Sequence, residues 1–265
     1  MSTLTIYINN LIQRLLKPAN DVQKNELGEY EAESVQKTLI DSYVPAPILE
    51  ARKVQDKIVT ERFRGKKLAI ADIGCGDGYH GEIFAPDAEL YHGFEISSAM
   101  ARQTSERWAE NGLDNAKVFH GDAAQINLEP NTYDVAWSLY FTPGNFREEF
   151  DDIRKYDDEY LDANPQFIKI IGNFYNALKP GGKIFLCVYK DSPKTEALQR
   201  KFYKDTGQEV ITPLGSRFVA TKENFWSVRW TKRSMLSNLA ECGITPGQVR
   251  FNDLNEVAWL VEITK

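Results

Sequence analysis

The sequence predicts an α/β fold: a doubly wound, mostly parallel seven-stranded sheet with an antiparallel last strand, plus an N-terminal helical cap. From Leu68 onwards, short β-rich runs alternate with helical stretches, an order typical of a parallel sheet covered by helices. Near the end of the chain, ITPGQVRF and EVAWLVEIT are joined only by NDLN. That link is too short for a helical crossover, so these two strands should pair antiparallel.

Length and composition bound the functional classes. The 265 residues, 42% of them apolar, suit one large domain or a core with a smaller cap. The net charge of −6 argues against the clustered cations that a duplex needs, so DNA is not expected as a partner. The three cysteines, Cys75, Cys187 and Cys242, are far apart, which predicts neither disulfides nor a metal site and favours a reducing, cytoplasmic location.

We divide the chain into a cap over residues 1–66 and a main domain over 67–265, with insertions near 144–166 and 192–232. Apolar residues between Leu4 and Leu15 recur at helical spacing and predict an amphipathic helix. The N-terminus lacks a basic start and a small-residue cleavage site, so a signal peptide is not expected. No apolar run approaches the roughly 20 residues of a membrane helix, so no membrane partner is expected, and binding of the amphipathic helix to a membrane surface is the minor alternative.

The first strand of the alternating region, LAIADI, leads into a loop with Gly74, Gly76 and Gly78. Glycines on a strand-to-helix turn let the backbone approach a ligand closely. No Lys–Ser/Thr pair follows, so a phosphate P-loop is not expected. The dinucleotide pattern G-x-G-x-x-G fails from Gly74 but is met from Gly76 through Gly81, which leaves a nicotinamide oxidoreductase open.

Acidic residues mark the ends of the next two predicted strands. Glu95 follows Gly74 by about 20 residues, a spacing that suits the hydroxyls of an adenosine ribose. Asp122 follows the third strand, where a carboxylate can accept a hydrogen bond from an adenine amino group. Three strand ends in succession thus carry groups that suit an adenosine-containing cofactor.

These segments resemble the class I S-adenosylmethionine-dependent methyltransferases. LAIADIGCGDG resembles the family's first motif, and GFEISSAMA, HGDAA, YDVAWS and NALKPGGKIFLCVY resemble the motifs of its second to fifth strands. The resemblance covers about residues 66–190. It implies that S-adenosylmethionine is the cofactor and S-adenosylhomocysteine the product.

The resemblance also implies a set of cofactor-binding residues. Asp72, Gly74 and Gly76 would surround the amino acid end of the cofactor, and Glu95 would hold the ribose. The remaining candidates are Ile96 and Met100 beside the adenine, Asp122 and Ala123 at its edge, Cys75 in the loop and Ser138 at the end of the fourth strand.

The acceptor site should follow the fourth strand, at SLYFTPGNF. Methyltransferases that modify amino groups of nucleic acids share an Asn/Asp-Pro-Pro-aromatic motif there, and this chain departs from it. Tyr140 and Phe141, with Trp226 of the second insertion, are the candidate acceptor-binding residues. His80 and Tyr140 are the candidate catalytic residues, and no histidine has the spacing of a metal site.

The sequence therefore favours methyl transfer to nitrogen or oxygen of a small-molecule acceptor, with specialised metabolism as a candidate role. The sulfonium already activates the methyl group, so orientation alone can supply on the order of 7–11 kcal/mol. A protein or RNA acceptor, and a cofactor-binding protein without turnover, remain alternatives. The sequence does not determine the acceptor, the need for a base or the oligomeric state.

Overall fold

A computed structural model describes residues 44–265 of the chain. The amphipathic helix that we predict between Leu4 and Leu15 lies outside these residues. The helices are α1 (Ala46–Phe63), α2 (Tyr79–Phe84), α3 (Ser98–Glu110), α4 (Asp158–Asp162), α5 (Pro165–Ala177), α6 (Pro193–Asp205) and α7 (Lys232–Glu241), with 3-10 turns at Thr142–Asn145, Ile153–Lys155 and Pro246–Gln248.

The strands follow the alternation that the sequence predicts. They are β1 (Ala69–Ile73), β2 (Leu90–Glu95), β3 (Ala116–His120), β4 (Tyr133–Ser138), β5 (Leu178–Lys190), β6 (Phe218–Ala220), β7 (Trp226–Trp230), β8 (Val249–Asp253) and β9 (Ala258–Thr264). Strands β1 to β5 pair in parallel in the order β3-β2-β1-β4-β5, β9 pairs antiparallel with β5, and β8 pairs antiparallel with β9. The predicted seven-stranded sheet with its antiparallel last strand is confirmed.

The sheet has two further strands in the described part of the chain, β6 and β7, and both come from the second predicted insertion. β7 pairs with Tyr189 and Lys190, at the carboxyl end of β5, past the segment that pairs with β4. The insertion therefore extends the sheet beyond the end of β4. The aromatic run of this insertion forms part of a buried strand pair.

Arg229 fastens this insertion to the core. Its guanidinium is buried, and it donates to Asp191 after β5 (3.1 Å) and to Gln199 on α6 (2.9 Å). Glu196 lies 3.7 Å away and adds a second carboxylate. A buried cation needs such partners to offset its desolvation, so the arrangement holds α6 and β7 in a fixed position beside the sheet.

Helices cover both faces of the sheet, as the doubly wound prediction requires. On one face α5 packs Phe167 and Phe174 against the strands. On the other, Phe63 of α1 packs against Trp137 of β4, and Trp108 of α3 packs against Tyr91 of β2. The described part of the predicted cap thus shares a core with the sheet. Among residues 44–265, no helix combines the length and the apolar character needed to cross a membrane.

Local signals set the helix boundaries near the strand ends. Ser97 caps α3 by accepting from the Met100 amide (3.2 Å), as its position after a strand predicts. Asn164 caps α5 by accepting from the amides of Gln166 and Phe167, with Pro165 in the first turn. These caps fix where each helix leaves the carboxyl edge of the sheet.

Trp108 fills a hollow between α2, α3 and β2. Its indole N–H donates to the Gly78 carbonyl (3.0 Å), and a Cβ at Gly81 would lie 2.3 Å from its ring. We predict that Gly81→Ala lowers the free energy of unfolding by about 1–3 kcal/mol, because the added methyl must displace packed atoms. Denaturant unfolding followed by tryptophan fluorescence measures this.

Gly172→Ala is the matched control for that substitution. Gly172 also lies in a helix, but nothing approaches its Cβ position within 4 Å. Alanine there should raise the free energy of unfolding by about 0.5–1 kcal/mol, because it restricts the unfolded chain. Equal changes in the free energy of unfolding for the two substitutions would show that packing against Trp108 does not determine the effect of Gly81→Ala.

Candidate functional site

The glycine loop joins β1 to α2 and lies against the end of β2. The amides of Gly74 and Cys75 both donate to the Phe94 carbonyl, at 2.8 and 3.2 Å. Gly74, Gly76 and Gly78 all have positive φ angles, between 56° and 79°. A Cβ at Gly74 would also lie 2.4 Å from the methyl carbon of Thr142, so glycine is required there on two counts.

Glu95 ends β2 and is buried beneath this loop. Its two carboxylate oxygens accept from the amides of Gly76 (2.8 Å) and Ser97 (2.9 Å). Burial raises the pKa of Glu95, and the amide hydrogen bonds oppose that shift. The carboxylate is thus held in one orientation at the edge of the cavity.

Asp122 occupies the equivalent position after β3. One of its oxygens accepts from the Ala124 amide and from the Gln166 side chain, both at 2.9 Å. Gln166 belongs to the first turn of α5, so the contact links this helix to the loop. The contact of Gln166 with Asp122 could not be predicted from the sequence, because α5 follows β3 by more than forty residues.

Asp72 lies within β1 and is almost fully buried. The Tyr91 hydroxyl donates to it at 2.6 Å. Burial raises the pKa of Asp72, while the nearby His80 and the Tyr91 hydroxyl partly offset that shift. An acid so placed favours a cation beside it.

One cavity of about 530 Å³ runs along the carboxyl edge of the sheet. Most of the residues predicted from the sequence line it: Asp72, Gly74, Cys75, Gly76, His80, Glu95, Ile96, Met100, Asp122, Ala123, Tyr140 and Trp226. Ser138 and Phe141 are not among its lining residues. The Ser138 hydroxyl donates to the Ile73 carbonyl (2.8 Å), so it holds the end of β1 directly before the glycine loop.

Phe141 points into the core, unlike its neighbour Tyr140. Its ring stacks on Tyr189 with 3.9 Å between centroids. Both Tyr140 and Phe141 have left-handed backbone angles, φ 52° and 69°. Two bulky residues in succession rarely adopt this conformation, and such strain concentrates at functional sites. The Tyr140 ring lines the cavity, whereas the Phe141 ring is buried.

The half of the cavity beyond β4 is lined by aromatic and acidic side chains. Phe225 and Trp226 of the insertion line it, whereas Trp230 packs on Phe167 in the core. The acidic segment after β4 divides in the same way, since Glu148 and Glu149 line the cavity while Asp158 and Asp162 pair with Arg217. Only part of each insertion therefore lines the cavity.

Helix α1 supplies polar groups that sequence reasoning missed. Asp56 lies 3.2 Å from the Nε2 atom of His80 and accepts from the Tyr140 hydroxyl at 2.5 Å. Gln55 accepts from the Tyr140 amide at 3.1 Å, and Arg52 lies over the Tyr140 ring. One signal was available. Gln55 falls on the buried face of α1 with Ile48, Ala51 and Val59, where a polar side chain requires a partner.

The other two histidines lie apart from this group. The ring of His92 shares a hydrogen bond with the Tyr133 hydroxyl (2.9 Å), and burial lowers the pKa of His92. His120 is exposed at the end of β3. Residues 44–265 contain no cluster of three His, Cys, Asp or Glu side chains with the arrangement of a metal site.

Comparison with known proteins identifies the domain that this edge of the sheet belongs to. Residues 70–182 match the family described as a methyltransferase domain. Over these residues the chain is similar to methyltransferase domains. This similarity counts against the nicotinamide alternative, and Gly81, the third glycine of the dinucleotide pattern, lies inside α2 against Trp108.

Individual relatives are distant. A demethylmenaquinone methyltransferase from a Geobacillus strain is 26% identical over 144 residues, covering 53% of this chain and 52% of the relative. The chain thus spans about half the length of this curated relative. Among solved structures, the DhpI-SAM-HEP complex matches with a TM-score of 0.58 at 13% identity, covering 91% of this chain and 95% of that one.

A second structure, the 1,6-didemethyltoxoflavin-N1-methyltransferase of Burkholderia thailandensis, matches with a TM-score of 0.52 at 11% identity. It covers 88% of both chains and was solved with its acceptor and S-adenosylhomocysteine bound. At these identities the two structures establish a shared fold.

The raised pKa of Asp72 leads to a prediction about pH. The folded protein binds this proton more tightly than the unfolded chain, whose carboxyl has its ordinary pKa of 3.8. As pH rises from below 3.8 through the folded pKa, the free energy of unfolding should therefore fall. Asp72→Asn should remove that contribution, so the variant should gain stability relative to wild type as pH rises.

Urea unfolding at a series of pH values measures the difference between the two proteins. Asp114→Asn is the matched control, because Asp114 is exposed between α3 and β3. The control should follow wild type at every pH. A constant difference between wild type and Asp72→Asn would contradict the assignment.

Proposed function

We propose that this chain transfers a methyl group from S-adenosylmethionine to nitrogen or oxygen of a small-molecule acceptor, mainly by proximity and orientation. The observation that carries the proposal is the continuity of the cavity, which joins the motif residues to the aromatic half beyond β4. A methyl donor bound at the first half would direct its reactive end toward the second. Orientation of this kind converts a bimolecular reaction into an effectively unimolecular one.

The charges of the first half fit the cofactor. Asp72 and Glu95 are both buried acids at the cavity, beside the glycine loop. An ammonium or sulfonium cation near them would offset their desolvation. Each oxygen of Glu95 already accepts one amide and keeps capacity for another donor, such as a ribose hydroxyl.

The volume of the cavity favours a small acceptor. About 530 Å³ lies within the roughly 300–1,000 Å³ of small-molecule sites. Two of the relatives are named for demethylmenaquinone and 1,6-didemethyltoxoflavin, and both names support a small-molecule acceptor that contains a ring. The aromatic lining at Phe225 and Trp226 suits such a ring. The cytoplasmic location and the exclusion of DNA remain predictions.

Calorimetric titration of the whole chain with S-adenosylhomocysteine tests the cofactor, with NAD as the negative control. We expect binding of the former alone. Glu95→Ala should weaken the binding of S-adenosylhomocysteine by about 100-fold or more, because two hydrogen bonds from the ribose hydroxyls to the charged carboxylate are lost. Glu106→Ala is the matched control, since Glu106 is exposed on α3, and it should bind as wild type does.

Failure of wild type to bind S-adenosylhomocysteine would refute the proposed function. Binding without methyl transfer to any acceptor would instead favour the alternative of a cofactor-binding protein without turnover. A screen of amines and phenols with labelled S-adenosylmethionine separates these two cases.

Trp226 provides a test of the acceptor half. Trp226→Ala should raise KM for the acceptor by about tenfold or more, because a buried aromatic contact is worth at least 1–2 kcal/mol. The affinity of Trp226→Ala for S-adenosylhomocysteine should equal that of the wild type. Trp259→Ala is the control, since Trp259 contacts Asp253 and Phe251 on the terminal strands. Equal KM values for the two variants would place the acceptor elsewhere.

A further inference from the structure

Helix α1 completes a hydrogen-bonded group at the boundary between the two halves of the cavity. His80 and Tyr140 both line the cavity, and both are bonded to Asp56. Asp56 itself is about one quarter exposed, whereas His80 is buried. This group lies between the glycine loop and the aromatic half, where methyl transfer would take place under the proposed function.

The Asp56 contact decides which nitrogen of His80 carries the proton. A carboxylate only accepts hydrogen bonds, so the Nε2 atom, 3.2 Å away, must be the protonated one. In a neutral imidazole the other nitrogen, Nδ1, then holds the lone pair. His80 is thus prepared to accept a proton at Nδ1 while it keeps its bond to Asp56.

Tyr140 is unsuited to act as the base. Burial raises its pKa well above the ordinary value of 10, and the hydrogen bond to Asp56 raises it further. The phenol therefore stays protonated and continues to donate to Asp56. Its amide is held by Gln55, so α1 fixes both ends of this strained residue.

Charged and polar groups of several elements surround His80. Asp56 faces it from α1 at 3.2 Å, and Asp72 lies near it in β1. Asp77 lines the same cavity, Arg52 of α1 lies over the Tyr140 ring, and the Tyr79 ring contacts the His80 ring.

We propose that His80 accepts, at Nδ1, a proton from an O–H or N–H group of the acceptor, and that Asp56 is a positioning residue that sets its tautomer. The inference rests on the proposed function. In the step, the O–H or N–H bond breaks and its proton moves to Nδ1. The freed electron pair forms the bond to the methyl carbon, and the S–CH₃ electron pair stays on sulfur to give neutral S-adenosylhomocysteine. The acceptor class is an alcohol, a phenol or a neutral amine.

Nuclear magnetic resonance of the whole chain with ¹⁵N-labelled histidine tests the tautomer without any acceptor. The chain has only three histidines, and His80→Asn assigns the signal. We expect His80 to show an Nε2–H proton in slow exchange with water. Asp56→Asn should lose that slow exchange, and Asp56→Glu, which keeps the charge, should partly restore it. Glu61→Gln, an exposed change on the same helix, should leave the signal unchanged.

An Nδ1–H tautomer at His80, or a signal that Asp56→Asn leaves unchanged, would overturn the inference. Retained binding of S-adenosylhomocysteine in each variant shows that it has folded. If wild type fails to bind S-adenosylhomocysteine, the proposed function fails whatever the tautomer. Normal binding with the wrong tautomer refutes this inference alone.

Kinetics with catechol as an O–H probe add a second measurement. His80→Asn should lower kcat by about 100-fold or more with little change in KM, and it should flatten the acidic limb of the pH profile. Asp56→Asn should lower kcat in the same direction by a smaller factor. Methylation of catechol by His80→Asn at the wild-type rate would also overturn the inference. If the wild-type protein does not methylate catechol, the measurement of the His80 tautomer tests the inference by itself.

Discussion

The parallel pairing of β1 with both β2 and β4 is the constraint on which the site depends. Asp72 lies in register with Gly93 of β2 and with Trp137 of β4, so the three strands end at the same edge of the sheet. Because each strand is followed by its loop at that edge, the glycine loop, Glu95 and Tyr140 meet although they are far apart in the sequence. A slip of one residue would turn Asp72 to the opposite face.

Much of this edge could be predicted from the sequence, because the signals there are local. The parallel sheet follows from the alternation, and Gly74, Glu95 and Asp122 lie at or within two residues of strand ends. What the sequence could not place depends on distant packing. Tyr140 and Phe141 are adjacent and chemically similar, yet one ring lines the cavity and the other stacks on Tyr189. The fold of the second insertion, fixed by Arg229, depends on contacts of the same long-range kind.

The contribution of α1 shows the same limit more sharply. Asp56 precedes Tyr140 by 84 residues, and the one signal on this helix, the buried Gln55 beside it, does not by itself mark Asp56 as a site residue. The structure places it beside the cavity, since α1 packs Phe63 against Trp137 and holds Asp56 against the Tyr140 hydroxyl. Packing at the last residue of the helix therefore helps to position the polar side chains in its middle. This explains how a segment outside the matched family region takes part in the site.

The strain at Tyr140 and the burial of Asp72 and Glu95 are alike in their effect on stability. Each costs stability in the folded chain, and each is retained by neighbours whose contacts face the cavity. Left-handed angles at two bulky residues persist because Gln55 holds the amide and Asp56 the hydroxyl of Tyr140. The buried acids persist because Tyr91 and two loop amides donate to them. Under the proposed function a cationic donor would offset the cost of the acids, so the binding site is less stable by itself than with its ligand.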